Sequence, residues 1–532
     1  MPRLLHHLID EAAHLSPEAE AVRADGEAIT YGQLLRRANG VARALHDTGI
    51  EPHARVGVLL PRGLNVPVAF YGVVAAGAVL VPIDPRSPAQ QVARILSATG
   101  ATHLITKPSL RRVANDAVDS CPTLRHVLGL EADDDPPNQD LQPNKDLTRA
   151  RLPWSAIHEL ASDTRPAVRT IDLDPVYVLH TSGSTGIPKL IRHTHRSALA
   201  FVDWAADTYA LTPDDRLSNH SSHHTCFATF DYYAAARARA TTVVLTPASL
   251  VLPASLAALL EEEAISVWYS VPTALVHLAL RGDLASKDLS ALRWVLFAGE
   301  TFPEKHLQSL RQQLPQARFS HVYGSTEVNV CTYYHLPDGP LPSPLPIGQA
   351  CSTDATLVVD EALEPVPHGE VGELLVRGAT VMSGYWDDPE RNHQVLVRRP
   401  AAGGFDEIYF RTGDRVRADA NGDLAFVARA DLQVKVRGFR VELQEVETAL
   451  LANDAVESAV ALAQPDGEGS STLIAAVVLT AESDADERSL RGELGAHLPA
   501  YAVPGRIEIL ERFPRTPTDK VDRKALKAEL TR

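Results

Sequence analysis

Cysteine is scarce. Four occur in 532 residues, Cys121, Cys226, Cys331 and Cys351, far apart and with no CxxC pair. That usage fits a reducing compartment and offers neither a disulfide framework nor a zinc site. Long apolar runs are missing too: no uninterrupted stretch approaches the about 18 residues of a membrane span. The opening segment, MPRLLHHLIDEAAHLSP, has acids inside its apolar pattern, so it reads as an amphipathic helix and not a signal peptide. Positive charge is in deficit. A formal net charge of −16 argues against broad binding to nucleic acid or anionic membrane. Internal repeats and low-complexity segments are absent. A cytoplasmic enzyme is expected. With 45% hydrophobic and 22% charged residues the composition is that of a globular protein. The length exceeds what one core supports, so two or more domains are expected.

The chain alternates strand and helix through most of its length. Val56–Leu60 reads as a strand, Pro67–Ala76 as a helix, Val79–Asp84 as a second strand, and the rhythm repeats from Gln90 to Lys107 and from Thr241 to Leu310. This is the pattern of parallel sheets covered by helices. Residues 131–146 are acidic and rich in Pro and Asn and read as a surface loop; Pro340–Pro346 is another connector. After Gly348 short alternating strands dominate, at Ala355–Val359, Gly372–Val376, Asp423–Val427 and Val434–Val436. The expected architecture is α/β: a large N-terminal domain over 1–430, with parallel αβ layers and a small β-subdomain, then a small mobile α+β domain over 431–532.

The most informative stretch is His180-Thr181-Ser182-Gly183-Ser184-Thr185-Gly186-Ile187-Pro188-Lys189, which follows the apolar run Val176–Leu179. Small residues let backbone N–H groups approach an anion, hydroxyls add donors, and the lysine adds charge. It reads as a phosphate cradle. It is not a Walker A loop, because no Gly precedes the lysine directly and no Ser or Thr follows it.

Five further segments follow in order: His321-Val-Tyr-Gly-Ser-Thr-Glu327, Gly372-Glu-Leu-Leu-Val-Arg-Gly378, Phe410-Arg-Thr-Gly-Asp414, Ala428-Arg-Ala-Asp-Leu-Gln-Val-Lys-Val-Arg-Gly438 and Thr516-Pro-Thr-Asp-Lys-Val-Asp-Arg-Lys524. Singly, each is also an ordinary turn or helix start. Together, in one order, they resemble the adenylate-forming superfamily, which holds peptide-synthetase adenylation domains, acyl-CoA synthetases and luciferases. The resemblance spans essentially the whole chain and is strongest to the peptide-synthetase branch.

That resemblance implies a ligase that joins a carboxylic acid to AMP with ATP and Mg²⁺, then passes the acyl group to a thiol. It implies roles for named residues. Thr181, Ser182, Gly183, Ser184, Thr185, Gly186 and Lys189 would hold the β- and γ-phosphates. Glu327 would hold Mg²⁺ and Thr326 would touch the α-phosphate. Tyr323 would stack on adenine, and Gly299 and Glu300 belong to the same nucleotide site. Asp414 would bind the ribose hydroxyls, with Arg429 beside it. Lys520 would bridge carboxylate and phosphate, Asp431 would be the hinge, and Lys435 would lie on the face presented in the second half-reaction. Leu190, Ser325, Gln444 and Asp519 depart from the family pattern, and none of them removes a catalytic side chain.

Amino-acid-activating members carry an Asp that pairs with the substrate ammonium, since an unpaired buried cation costs about 3–5 kcal/mol. This chain offers Phe230-Asp231. Laid on the family without a gap, the usual position falls on Cys226, so Asp231 lies about one helical turn further along. A displaced counter-charge suits a displaced amino group, and resembles the freestanding enzymes that load β-amino acids in macrolactam biosynthesis. The other register, with a local gap in the expected helix Tyr232–Ala240, gives an α-amino acid enzyme. If Asp231 points away, the substrate is an aryl or fatty acid joined to coenzyme A. Cys226, Phe227, Phe230, Tyr269, Leu296, Ala298, Val322, Gly324, Val330 and Cys331 would line the pocket. They are nearly all apolar, so an aliphatic or aromatic side chain is expected, with no second charge. His223 and His224 read as a gate or a solvated loop.

No Gly-Gly-x-Ser carrier motif occurs. The expected acceptor is the phosphopantetheine thiol of a freestanding acyl or peptidyl carrier protein. From Gly505 onward eight basic residues stand against five acids, weak support for docking an acidic carrier.

Overall fold

The structure is a computed structural model that describes residues 3–130, 150–181, 188–247, 250, 252–300, 302–401, 403–429, 433–466, 470–480, 483, 485–515 and 521–530. Two large sheets dominate it. The first has eight strands, in the order Gly384–Tyr385, Lys189–Thr194, Pro175–Thr181, Val79–Pro82, Arg55–Val58, His103–Ile105, His126–Leu128 and Ala150–Leu152. From Pro175–Thr181 to the Ala150–Leu152 end all neighbours run parallel; the pairing of Pro175–Thr181 with Lys189–Thr194 is antiparallel. The second has nine strands, with a parallel centre of Arg318–Tyr323, Trp294–Phe297, Val267–Ser270, Arg216–Asn219 and Thr241–Val244. Strands such as Val79–Pro82 and Trp294–Phe297 are buried at every residue, as expected where helices cover both faces.

The helix Asn65–Ala75 is apolar around its whole circumference and buried from Val66 onward. A helix of that kind belongs between layers. One core cluster accordingly includes Val68 and Phe70 from this helix, Val56 and Leu80 from the first sheet, and Val244, Val267 and Leu296 from the second. Each such large aliphatic side chain, fully buried, contributes about 1.5–3 kcal/mol.

The β-rich stretch after Gly348 forms an antiparallel five-stranded sheet of Asp354–Val359, Val371–Gly378, Asp406–Ala418, Leu396–Pro400 and Leu424–Arg429. Next come the hairpin Gln433–Val436/Phe439–Glu442, the helix Leu443–Leu451, a three-stranded sheet of Val456–Pro465, Ser471–Leu479 and Arg506–Ile509, and the helices Glu487–His497 and Arg523–Leu530. This last unit has its own core, built on Val441, Val446, Leu473, Val477, Leu490 and Ile507. The fold is thus the layered αβ architecture with a small β-sheet and a small α+β unit. The opening segment forms the expected helix, His7–Leu15. Among the described residues no helix is long and apolar enough to cross a membrane. The surface loop expected at 131–146 lies outside the described residues.

One element departs from expectation. In place of a helix over Tyr232–Ala240 there is a short α-turn at Phe227–Thr229, a π-helical turn at Phe230–Ala234 and a brief α-helix at Ala235–Ala238. The segment stops at Arg239, which is left-handed at φ +61°. A π turn holds one more residue than an α turn and re-aims the residues after it, and such turns are frequent at functional sites.

Candidate active site

The strands of the first sheet carry Thr181 and Lys189 to facing positions, because Pro175–Thr181 and Lys189–Thr194 pair antiparallel with Thr181 opposite Lys189. Ser182, Gly183, Ser184, Thr185 and Gly186 lie outside the described residues. The Thr181 hydroxyl is buried and has no partner among the described residues. Lys189 donates from Nζ to Glu442 at 2.5 Å. An orphaned hydroxyl beside a half-buried lysine suits a phosphate oxygen. Burial lowers the lysine's pKa, and the nearby Arg440 guanidinium adds to the effect.

The parallel strand Arg318–Tyr323 ends at the turn that carries Gly324, Thr326 and Glu327. A Cβ on Gly324 would fall 1.8 Å from the Asn329 carbonyl oxygen, so only glycine fits there. The Thr326 carbonyl accepts from His193 Nε2 at 2.8 Å. Glu327 is wholly buried. Its Oε1 accepts from the Tyr385 hydroxyl at 2.8 Å, and Arg440 Nη1 donates to both carboxylate oxygens, at 2.8 and 2.7 Å. Burial alone would raise the Glu327 pKa; the Arg440 charge, with the Tyr385 hydroxyl, outweighs it and holds the group at about 2. An ionised oxygen ligand of this kind suits Mg²⁺.

Tyr323 donates its hydroxyl to Asp414 Oδ2. Arg429 Nη1 donates to Asp414 Oδ1 at 2.7 Å. Asp414 sits on the long strand Asp406–Ala418, next to Gly413 at φ +72°. The residues implied for adenine and ribose therefore meet. Gly299, at φ +95°, leads to Glu300. The Glu300 carboxylate accepts from Thr273 Oγ1 at 2.6 Å, the Gly438 N–H at 2.8 Å and Ser470 Oγ at 2.6 Å.

The hairpin Gln433–Val436/Phe439–Glu442 thus enters the same space from the C-terminal side. Lys435 is enclosed there; burial lowers its pKa, against the opposing pull of Asp414 and Cys226. Phe439 stacks on Tyr501 at 4.1 Å and on His224 at 6.2 Å. His223 and His224 are buried, which removes the solvated-loop reading. Asp431 and Lys520 lie outside the described residues.

The residues expected around the acid divide into two groups. Phe230, Tyr269, Leu296, Ala298, Val322 and Val330 share one apolar cluster, with Cys226 and Phe227 packed against it. The Phe227 and Phe230 rings lie 4.6 and 5.4 Å from Tyr269. Cys331 falls in a neighbouring cluster with Val328 and Ile347, and its thiol donates to the Tyr323 carbonyl. Asp231 is fully buried in the π turn. Its Oδ2 accepts from Asn219 Nδ2 at 2.8 Å, and its Oδ1 has no partner among the described residues. Burial pushes its carboxyl well above the usual range, against the Asn219 hydrogen bond and the charge of Arg62.

Arg62 is a residue that sequence reasoning misses, because a lone arginine after a strand gives no signal of a partner 157 residues away. It is half-buried, its charge acts on Asp231, and desolvation lowers its pKa.

The sequence profile described as AMP-binding enzyme matches residues 9–386, and that described as AMP-binding enzyme C-terminal domain matches 445–520. The chain is 33% identical over 531 residues to L-proline–[L-prolyl-carrier protein] ligase of Pseudomonas fluorescens, covering 98% of this chain and 99% of that protein. It is 34% identical over 530 residues to phosphinothricin tripeptide synthetase PhsC of Streptomyces viridochromogenes, with 98% of this chain matched but only 45% of that protein spanned. The amide bond synthetase McbA from Marinactinospora thermotolerans superposes with a TM-score of 0.85 at 25% identity, covering 99% of both chains.

Proposed function

The chain belongs to the family of AMP-binding enzymes and is an adenylate-forming acid–thiol ligase that uses ATP and Mg²⁺, and on that premise we propose that it activates an amino acid with an apolar side chain, favouring a β-amino acid, and loads it onto the phosphopantetheine thiol of a freestanding carrier protein. Amino-acid activation and carrier loading draw support from the relative named L-proline–[L-prolyl-carrier protein] ligase. The proposal divides the chain into a large domain over 1–430 and a mobile lobe over 431–532, in the cytoplasm.

In this reading Thr181 to Gly186 and Lys189 bind the β- and γ-phosphates, Tyr323 the adenine, and Asp414 with Arg429 the ribose. Glu327 and Thr326 face the reacting phosphate. The acid's carboxylate must approach the α-phosphate although both are anions, and the charge of Lys520 would offset the repulsion. Mg²⁺ held by Glu327 would neutralise phosphate charge. Lys435, on the hairpin that fills the site in this structure, serves the transfer to the thiol. One site serves both steps as the lobe turns about Asp431.

The observation that carries the substrate assignment is Asp231: a fully buried carboxylate with one unpartnered oxygen, beside the apolar cluster around Tyr269. A buried charge without a partner is costly, and a substrate ammonium supplies one. Asp231 stands five residues beyond Cys226, where the register without a gap puts the usual Asp. That displacement favours an amino group on the β-carbon. The test is Asp231→Asn in acid-dependent ATP–pyrophosphate exchange. Amine-bearing substrates should lose kcat/KM far more than their des-amino analogues, by about 100-fold for a buried ion pair. An equal loss for both removes the ammonium assignment and leaves an aryl- or fatty-acid ligase.

A further inference from the structure

Asp231 is not held alone. Asn219, buried at the end of the strand Arg216–Asn219, donates from Nδ2 to Asp231 Oδ2 at 2.8 Å. Its own Oδ1 accepts from the Tyr232 hydroxyl at 3.1 Å and from Arg62 Nη1 at 3.3 Å. Two donors on that oxygen and a carboxylate on the nitrogen fix the orientation of the amide; the flipped form would set NH₂ against two donors and oxygen against oxygen. Arg62 also clamps the backbone there, donating to the Asn219 carbonyl at 2.7 Å and to the His220 carbonyl at 2.6 Å. The π turn is tied down separately, by Thr242 Oγ1 donating to the Asp231 carbonyl at 2.6 Å.

The arrangement keeps a cation close to Asp231 without letting it pair. A direct Arg–carboxylate fork would occupy both oxygens. Here the described hydrogen bonds of Arg62 go to Asn219 and His220. Asn219 occupies Oδ2, and Oδ1 stays unpartnered among the described residues although wholly buried. An unsatisfied buried acceptor is unfavourable, so it is retained where a ligand will complete it. A carboxylate free to rotate could follow an amine on either of two adjacent carbons; a pinned one accepts from a single direction.

We propose that Asn219, oriented by Arg62 and Tyr232, is a positioning residue that sets specificity for the site of the amino group on the acid, by pinning Asp231 so that only Oδ1 remains to accept from a primary ammonium. This rests on the reading that Asp231 takes that ammonium.

The experiment is pyrophosphate exchange with three acids of one side chain: the β-amino acid, the α-amino acid and the des-amino acid. The proteins are wild type, Asn219→Ala, Tyr232→Phe and Asp231→Asn. Asn219→Ala should reduce the kcat/KM ratio of the preferred to the other amino isomer by about tenfold, mainly through KM, with a smaller loss on the des-amino acid. Tyr232→Phe, which keeps the ring and removes one of the two donors to Asn219 Oδ1, should shift the ratio the same way by less. An unchanged isomer ratio in Asn219→Ala, or an equal loss on all three acids, overturns the inference. If Asn219→Ala does not fold, an unchanged ratio in Tyr232→Phe overturns it. Selectivity lost in Asp231→Asn but kept in Asn219→Ala removes Asn219 alone; an equal effect of Asp231→Asn on all acids removes the ammonium reading beneath it.

Discussion

Arg440 donates from one guanidinium nitrogen to both carboxylate oxygens of Glu327, at 2.8 and 2.7 Å, across 113 residues of sequence. Two residues along the same strand, Glu442 takes the Lys189 ammonium at 2.5 Å. A cation thus rests on the carboxylate assigned to Mg²⁺, and an anion rests on the lysine assigned to phosphate. Each carries the sign of the group it would exclude. Docking of the hairpin in this orientation and binding of Mg²⁺·ATP should therefore compete.

Arg440→Gln weakens the docked orientation by removing the charge on Glu327. The variant should bind Mg²⁺·ATP more tightly by about tenfold, or about 1.4 kcal/mol, while passing its acyl group to a carrier thiol more slowly. Isothermal titration of variant and wild type reads the first effect and single-turnover thioester formation the second. Unchanged nucleotide affinity would show that the two do not compete.

Lys520→Ala should leave the protein folded and lower adenylate formation by about 10²–10³-fold, the usual scale for losing one preorganised charge at a reacting centre. Circular dichroism and pyrophosphate exchange together check it. Near-normal exchange would remove the lysine from the chemistry.

Asp231 should couple amine binding to protons. Burial raises its pKa above the ordinary carboxyl, so the empty enzyme keeps the proton to higher pH, whereas the ammonium-bound state requires the carboxylate. Binding of an amino acid, at a pH where the free enzyme still holds this proton, should then release up to about one proton. KM for amine substrates should fall as pH rises, until Asp231 is ionised in the free enzyme. Calorimetry in buffers of different ionisation enthalpy measures the release, and Asp231→Asn should abolish it. Proton uptake on binding would contradict the assignment.

The sequence is a good guide where the signal is local. The apolar run before the cradle is the strand Pro175–Thr181; of the alternating segments after Gly348, the first three are strands of the small sheet and Val434–Val436 is a strand of the hairpin that follows it. Side chains that meet through tertiary pairing leave little trace. Arg62 reads as an ordinary arginine, and only the packing of the two sheets against each other puts it beside Asn219. The pairing of Arg440 with Glu327 depends on how the last hundred residues sit against the rest, which no local pattern encodes. The helix expected at Tyr232–Ala240 forms only in part: its periodicity is helical, but the extra residue of the π turn does not show in a pattern of Phe, Tyr and Ala.

The central claim is that Asp231 selects an amino acid by the place of its amino group. Pyrophosphate exchange by the wild-type enzyme with matched pairs of α- and β-amino acids bearing apolar side chains tests it most directly. The account predicts higher kcat/KM for the β member of each pair, and loss of that preference in Asp231→Asn. Higher kcat/KM for the α members, or for acids with no amino group, would contradict it.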